Sequence, residues 1–232
     1  MSSFQGFHIE SEVALLRDLE KILNLNHTNW FFEEREGRSS VGKLGVLVAM
    51  ERCLEETAGK SVAAEVMEGS EQITEKTDKK KTALWVKNAM ERLDAVADGE
   101  TREKAMQNCG YNCAKKNHKV IERAVARRKK FVSVDDFLMA EEKNPPKGTK
   151  VVREGNIVYE TYTPQTFTRP MRCYCSLFRQ LPTEDKVSIT YCNCSRGFVE
   201  KYWEAVLQKP VKVDLLKSTI SGAEECKFAI HL

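Results

Sequence analysis

The chain has 232 residues, of which 31% are charged, and its formal net charge is +3. This length allows a substantial hydrophobic core, and the small net charge gives no strong field that would attract nucleic acid or an acidic membrane. No apolar run approaches the roughly 20 residues that span a bilayer, and the N-terminus lacks the features of a secretory signal. These features predict a cytoplasmic protein with no membrane span and no nucleic-acid partner.

The N-terminal part is predicted to be helical. Residues 10–25 place Val13, Leu16, Leu19 and Leu23 at helical spacing. Ser133 is a candidate cap for a short helix, and Gly110 is expected to interrupt a longer one. A second helix is predicted to begin after Ser40. Further helices are predicted over residues 83–97, 101–108, 115–130 and 134–142.

A Pro/Gly cluster at residues 144–148 marks a boundary. It predicts a mainly helical region over 1–143 and an α+β ligand-binding-type domain over 149–232, which either stand apart or pack as one unit. The fold class is α+β: a helical N-terminal half packed with a C-terminal antiparallel sheet and one long helix. The predicted strands are 150–153, 156–162, 171–179, 187–192, 211–219 and 225–231, with the helix at 196–208.

Eight cysteines are many for a chain of this kind, and a reducing compartment favours metal or thiol chemistry over disulfides. Cys53 stands alone and is predicted to be structural. The other seven are candidate metal ligands: six form three close pairs, and the seventh lies near the C-terminus. They are Cys109 and Cys113, Cys173 and Cys175, Cys192 and Cys194, and Cys226.

Two of these pairs are predicted to face each other in a β-hairpin. If the hairpin turns at residues 183–184, Cys175 lies opposite Cys192 and Cys173 opposite Cys194. Four sulfurs on one face would suit zinc or an iron–sulfur cluster. The alternative is that the cysteines are small apolar core residues.

The C-terminal segment also resembles a known superfamily. The pattern comprises Cys173-Tyr-Cys175, residues 191–198, residues 203–213 and the closing Ser221-Gly-Ala-Glu-Glu-Cys-Lys-Phe-Ala-Ile230. It resembles the 4-vinyl reductase-type, hydrocarbon-binding superfamily. It is similar, too, to uncharacterised prokaryotic proteins with paired C-x-C motifs and to L-2-amino-thiazoline-4-carboxylic acid hydrolase-like sequences. The resemblance implies an antiparallel sheet packed by helices around a mostly apolar pocket.

Zinc-binding sensor members of that superfamily use a cysteine at a strand–helix junction, a Glu and a Cys on the next strand, and a terminal Cys. Cys192 or Cys194 matches the first position and Cys226 the last, but Leu215 and Ser218 stand at the Glu and middle Cys positions. The resemblance therefore implies that a metal site in this chain would use other cysteines as well.

The leading hypothesis is a small-molecule-binding or sensory protein with a cysteine-ligated zinc or iron–sulfur site. A small apolar or aromatic ligand and a second copy of the chain, in a homodimer, are the expected partners. The candidate ligand-binding residues are Arg196, Phe198, Tyr202 and Trp203.

Two other functions stay open. In a thiol-dependent hydrolase or redox enzyme, Cys175 or Cys192 would be the reactive thiol, with Cys109 and Cys113 as a resolving pair. Nearby Arg172 and Arg196 could lower the pKa of such a thiol. The third hypothesis is a structural or interaction subunit whose helical half docks a partner.

Overall fold

A computed structural model describes residues 44–166, 171–179, 181–182 and 184–232. Within them the chain is an α+β protein with seven helices and a four-stranded antiparallel sheet. The helices are α1 (Gly45–Ala58), α2 (Lys60–Val66), α3 (Lys79–Val96), α4 (Gly99–Lys116), α5 (His118–Arg128), α6 (Val134–Lys143) and α7 (Asn193–Leu207). The strands are β1 (Thr149–Glu154), β2 (Ile157–Tyr162), β3 (Lys212–Lys217) and β4 (Cys226–His231). The predicted helix over residues 10–25 lies outside the described residues.

Short polar side chains begin three of the helices. Asp78 accepts hydrogen bonds from the first backbone N–H groups of α3, and Asp98 accepts one from Thr101 in α4. Ser133 accepts a 3.0 Å bond from the Asp136 backbone N–H and so caps α6, as predicted. These side chains satisfy amide groups that have no partner inside the helix.

The predicted interruption at Gly110 was wrong, because α4 runs unbroken from Gly99 to Lys116. Gly110 instead lets α4 approach α7 backbone to backbone. A Cβ atom at Gly110 would lie 2.1 Å from the Cys194 carbonyl oxygen, and one at Gly197 would lie 2.3 Å from the Gln107 carbonyl oxygen. Both glycines are therefore required by the contact between the two helices.

The sheet has the order β1-β2-β4-β3, and every neighbouring pair is antiparallel. The predicted hairpin of β1 and β2 is confirmed. It turns at Gly155, whose φ of 59° is a conformation that favours glycine. The two C-terminal strands are confirmed as β3 and β4, although both are shorter than predicted.

The strands predicted over 171–179 and 187–192 were wrong. The described residues of 171–188 form turns and irregular backbone, and Ile189–Cys192 is a 3-10 turn that leads into α7. The apolar residues that suggested strands, including Phe178, Val187 and Tyr191, are buried against the helices α1–α4. Because the helices bury these side chains, the segment does not need to pair as strands. The predicted hairpin that would carry the two C-x-C pairs therefore does not form.

Two hydrophobic cores lie on the two sides of α7. One joins α1–α4 to the segment 177–192, and the other joins α5, α6 and the sheet to the C-terminal half of α7. Trp203 is buried in the second core, where its indole N–H donates a 2.8 Å hydrogen bond to Glu160 of β2. Helix α7 therefore ties the helical region to the sheet. None of the described helices is both long enough and apolar enough to cross a membrane.

Replacing Gly110 or Gly197 with alanine should force α4 and α7 apart, since each new methyl group would overlap a backbone atom of the other helix. The free energy of unfolding should fall by about 3 kcal/mol or more, measured by urea denaturation. Gly99→Ala is the control, because nothing lies within 4 Å of a Cβ atom there. An equal loss in the control would contradict the proposed role of the contact.

The buried Glu160 predicts a pH dependence of stability. Burial raises its pKa to about 7, despite the hydrogen bond from Trp203. Because the neutral acid is favoured in the folded state, the stabilisation is complete below the unfolded pKa of 4.5 and is lost as pH rises through about 7. Glu160→Gln should remove up to about 3 kcal/mol of this pH-dependent change, measured by urea denaturation between pH 4 and pH 8 (about four units). The exposed Glu154→Gln variant should retain the wild-type slope.

Candidate thiol site

Four cysteines line one small cavity between the segment 171–192 and the sheet. They are the cavity cysteines: Cys173, Cys175, Cys192 and Cys226. They come from an irregular loop, the turn before α7 and the start of β4. Tyr162, Phe228 and Leu215 of the sheet form part of the wall. The space open to the centre of a water molecule is about 20 Å³, which is room for one water molecule or one ion.

The loop that carries Cys173 and Cys175 is held by Arg172. The Arg172 guanidinium donates to the Pro182 carbonyl and, at 2.6 Å, to the Asp185 carbonyl within its own loop. It also donates to the carbonyls of Thr219 and Ile220, both at 3.2 Å, in the turn before β4. The Thr219 hydroxyl returns a 2.9 Å bond to the Arg172 carbonyl. One side chain thus fixes the loop against the segment that precedes Cys226.

Each cavity sulfur has an N–H or O–H neighbour. The Cys175 N–H donates to Cys173 Sγ at 3.3 Å, and the Tyr191 hydroxyl lies 3.1 Å from Cys175 Sγ. The Ser218 hydroxyl lies 2.9 Å from Cys192 Sγ. Cys226 Sγ accepts a 3.4 Å bond from the Thr219 N–H, and the Thr219 hydroxyl is at the same distance. Such donors can stabilise a sulfur that carries negative charge.

The other four cysteines lie around the contact between α4 and α7. These helix cysteines are Cys53, Cys109, Cys113 and Cys194, contributed by α1, α4 and α7. Cys194 interacts electrostatically with Cys53, Cys113 and Cys175, and so connects the helix cysteines to the cavity. The helix cysteines and the cavity cysteines together are called the thiol group of this chain.

Burial keeps most of these thiols neutral. It raises the pKa of Cys173 to about 12 and raises the pKa values of Cys192, Cys194 and Cys113. Cys53 is the exception. Its pKa is lowered, chiefly by the neighbouring Cys109 thiol; burial opposes this, and the hydrogen bond from the Asn112 amide adds to it. Buried neutral thiols are poor nucleophiles.

No three cysteine, histidine, aspartate or glutamate side chains in the described part of the chain are grouped so that they could hold a metal ion as they stand. The predicted ligands are therefore only partly brought together. Cys173, Cys175, Cys192 and Cys226 share a cavity, whereas Cys109, Cys113 and Cys194 do not line it. The predicted facing of Cys173 and Cys194 across a hairpin was wrong, because Cys194 is in the first turn of α7.

The four predicted ligand-binding residues do not line this cavity. Arg196 pairs with Glu103 at 3.1 Å and contacts Gln107, so its charge is used in the contact between α4 and α7. Tyr202 accepts a 3.2 Å bond from Arg127. Phe198 and Trp203 pack in the second core. Neither Arg172 nor Arg196 is positioned primarily to activate a thiol.

Sequence reasoning missed Tyr191, Ser218 and Thr219 as neighbours of the sulfurs. Hydroxyl residues are common, and their spacing from the cysteines carries no pattern. It also missed Arg172 as the anchor of the loop, because its partners are backbone carbonyls that have no side-chain signature.

Residues 46–232 match the model of a family of unknown function, DUF6144. The chain belongs to this family. All eight cysteines lie within the matched residues, so the whole thiol group is part of the DUF6144 region. No curated protein and no solved structure matches the chain.

Arg172→Ala should loosen the loop, because four backbone carbonyls lose their donor. We expect the free energy of unfolding to fall by about 3 kcal/mol and Cys173 and Cys175 to react faster with iodoacetamide, as read by peptide mass spectrometry. Arg179→Ala is the control, since within the described residues the Arg179 side chain donates one exposed hydrogen bond, to the Tyr174 carbonyl. Matching labelling rates in the two variants would refute the anchoring role.

Proposed function

We propose that this DUF6144 protein binds a thiophilic metal ion through Cys173, Cys175, Cys192 and Cys226. The observation that carries the proposal is that three separate chain segments bring four cysteines to the wall of one cavity. Four sulfur donors suit zinc in particular. The cavity leaves about 20 Å³ for the centre of a water molecule. This space fits a single ion better than an iron–sulfur cluster or an aromatic ligand.

The surroundings of the sulfurs support this function. Metal-bound thiolates are commonly oriented and stabilised by hydrogen bonds from a second layer of residues. Tyr191, Ser218 and Thr219 supply such groups to Cys175, Cys192 and Cys226. Burial raises the pKa of Tyr191 well above its usual value, so its hydroxyl keeps its proton and can donate. Cys192 also immediately precedes α7, whose N-terminus favours negative charge.

Metal uptake would require the thiols to move and to lose protons. The sulfurs do not converge on one point, so side-chain rotation must accompany binding. The raised pKa values of Cys173 and Cys192 mean that these thiols are protonated at neutral pH in the metal-free protein. The positive charge of a bound metal ion would stabilise the thiolates, so metal binding would release the thiol protons.

The resemblance to the hydrocarbon-binding superfamily supports the same location. The positions at which its zinc-binding members carry Glu and Cys are Leu215 and Ser218 in this chain. Leu215 lines the cavity and Ser218 contacts Cys192. Cys173 and Cys175 would then supply the two ligands that those positions lack. From this resemblance we infer a sensory protein. Binding of the metal would fix the position of the loop that carries Cys173 and Cys175, and the position of α7.

The proposal is tested by titrating the reduced, metal-free chain with Co²⁺, whose thiolate charge-transfer absorption counts sulfur ligands, followed by competition with Zn²⁺. Cys192→Ser and Cys226→Ser should each weaken binding by about 100-fold or more, and Ser218→Ala by about 10-fold or more. Cys113→Ser is the control, because Cys113 does not line the cavity. Absence of saturable absorption, or equal weakening in the control, would refute the site.

Metal affinity should fall as pH is lowered, because protons compete for thiols whose pKa values are raised by burial. The affinity for Zn²⁺ should therefore decrease steadily from pH 8 to pH 6 (about two units), by more than tenfold per unit when more than one thiol loses its proton. The number of thiols that lose a proton can be checked directly by measuring the protons released on Zn²⁺ binding in weakly buffered solution. A pH-independent affinity would argue against thiolate ligands.

A further inference from the structure

Helix α5 and the residues on either side of it carry a concentrated positive charge. Residues 115–132 contain eight lysines and arginines and one acidic residue, Glu122. Their net charge is therefore +7, whereas the whole chain carries only +3, so the remainder of the chain is net negative. Salt screens exposed charges that are more than about 10 Å apart, so a partner at this surface responds to the local charge and not to the total.

The charges lie on the outer side of α5. Ile121, Ala124 and Val125 are buried in the second core. A helix turns by about 100° per residue, which places Lys119 and Arg123 on the opposite side of α5. Both residues are exposed. Exposed lysines at the two ends of α5 extend this surface, which is called the basic face: Lys116, Lys119, Arg123, Lys129 and Lys130.

The carboxylates that are near the basic face in sequence have other partners. Glu122 lies 4.0 Å from the ring of His118, four residues earlier on α5. Asp135, at the start of α6, pairs with Arg153 of β1 at 2.5 Å. Within the part of the chain that the structure describes, no carboxylate forms an ion pair with a residue of the basic face. The charge of this face is therefore available to an anionic partner.

The turn after α5 presents an apolar side chain to solvent. Val132 is fully exposed and closely follows Lys129 and Lys130. The neighbouring Phe131 instead packs edge-on against Phe137, with the ring centroids 5.8 Å apart. Val132 thus projects alone beside two lysines. Proteins that bind the surface of a membrane combine basic and apolar side chains in this way, and the apolar ones enter the boundary between lipid headgroups and acyl chains.

We propose that the basic face and Val132 form a docking surface for a membrane that contains anionic lipids. The negative headgroups complement the charge of the face, and Val132 enters the headgroup region. The inference is independent of the metal proposal, because none of these residues lines the cavity. It concerns binding to the membrane surface and requires no helix that crosses the bilayer.

Two observations favour a lipid surface over a nucleic acid. Proteins that bind single-stranded nucleic acid stack its bases on exposed aromatic rings, whereas the ring of Phe131 is turned onto Phe137. Double-stranded nucleic acid is contacted mainly through its phosphates and sugars, which offer no apolar environment to Val132. In a bilayer, by contrast, burial of this valine adds to the electrostatic attraction.

The test measures co-sedimentation of the full chain with phosphatidylcholine vesicles that contain about 30% phosphatidylserine, in about 0.1 M salt. The wild-type chain should bind these vesicles about 10-fold or more tightly than vesicles of phosphatidylcholine alone, and should be released in about 0.5 M salt.

Each basic residue near an anionic surface strengthens binding roughly fivefold, so Lys119→Glu/Arg123→Glu should bind about 25-fold or more weakly than the wild type. The matched control is Lys60→Glu/Lys80→Glu, which makes the same change in net charge at exposed residues of α2 and α3. These helices contribute to the first core, whereas α5 contributes to the second. The control should therefore bind almost as the wild type does.

Val132→Ser should weaken vesicle binding several-fold, while Leu84→Ser, at a half-exposed residue of α3, should not. Circular dichroism checks that each variant remains folded, and the wild-type measurement decides the question even if a variant unfolds. Unchanged binding of Val132→Ser would overturn the insertion of this residue.

The same proteins are also titrated with mixed-sequence double-stranded DNA and RNA. Binding to nucleic acid but not to the anionic vesicles would overturn the inference. It would also be overturned if folded wild-type protein bound neither, or if the Lys60→Glu/Lys80→Glu control lost vesicle binding equally. The Cys192→Ser variant should still bind the vesicles, so failure of the metal site would leave this docking surface intact.

Discussion

The direct backbone contact between α4 and α7 is the constraint on which the thiol group depends. At Gly110 and Gly197 the two helices approach until no Cβ atom fits between them. This approach brings Cys109 and Cys113 of α4 beside Cys194 of α7, and it sets where α7 begins and therefore where Cys192 lies. The other side of α7 packs on the sheet that carries Cys226. A wider crossing would separate the cysteines of the two halves.

The energetics of the eight thiols follow from their burial. A neutral thiol is a small, weakly polar group that can be buried at little cost, whereas its thiolate is costly to bury unless charge or hydrogen bonds offset it. Most of the sulfurs are therefore held as thiols. In the proposed metal site, the ionisation of the cavity cysteines would accompany the arrival of a cation. At Cys53 the Asn112 amide donates a 3.2 Å hydrogen bond to the sulfur.

Most of the helices and the β1–β2 hairpin could be predicted because their signals are local. Asp78, Asp98 and Ser133 mark helix starts through bonds to the next residues, and Gly155 marks the turn through its own backbone. The structure of the segment 171–192 could not be predicted, since its apolar residues are buried by helices distant in sequence and its backbone is held by Arg172. Local alternation of apolar residues therefore indicated strands that do not exist.

The site was predictable only in part, for a related reason. The C-x-C spacing placed Cys173 and Cys175 together, and the resemblance pointed to Cys192 or Cys194 with Cys226. Ser218 and Thr219 reach the sulfurs only through tertiary packing, which no short-range pattern records. Cys53 was predicted to be structural because it stands alone in a helix beside charged residues. Its hydrogen-bond donor Asn112 belongs to a different helix, so this contact also has no local signal.

The bonding of Arg172 has a consequence for sequence variation within the family. Among the described residues, its guanidinium donates hydrogen bonds to four carbonyl oxygens of the main chain, at Pro182, Asp185, Thr219 and Ile220. Any residue can supply a carbonyl, so these bonds place no demand on the side chains of their four partners. The planar donor fork is what cannot be replaced, because a lysine ammonium is a single point and cannot span both segments. Substitutions are thus expected to accumulate along the loop while its shape, and the position of the cysteines it carries, stay the same.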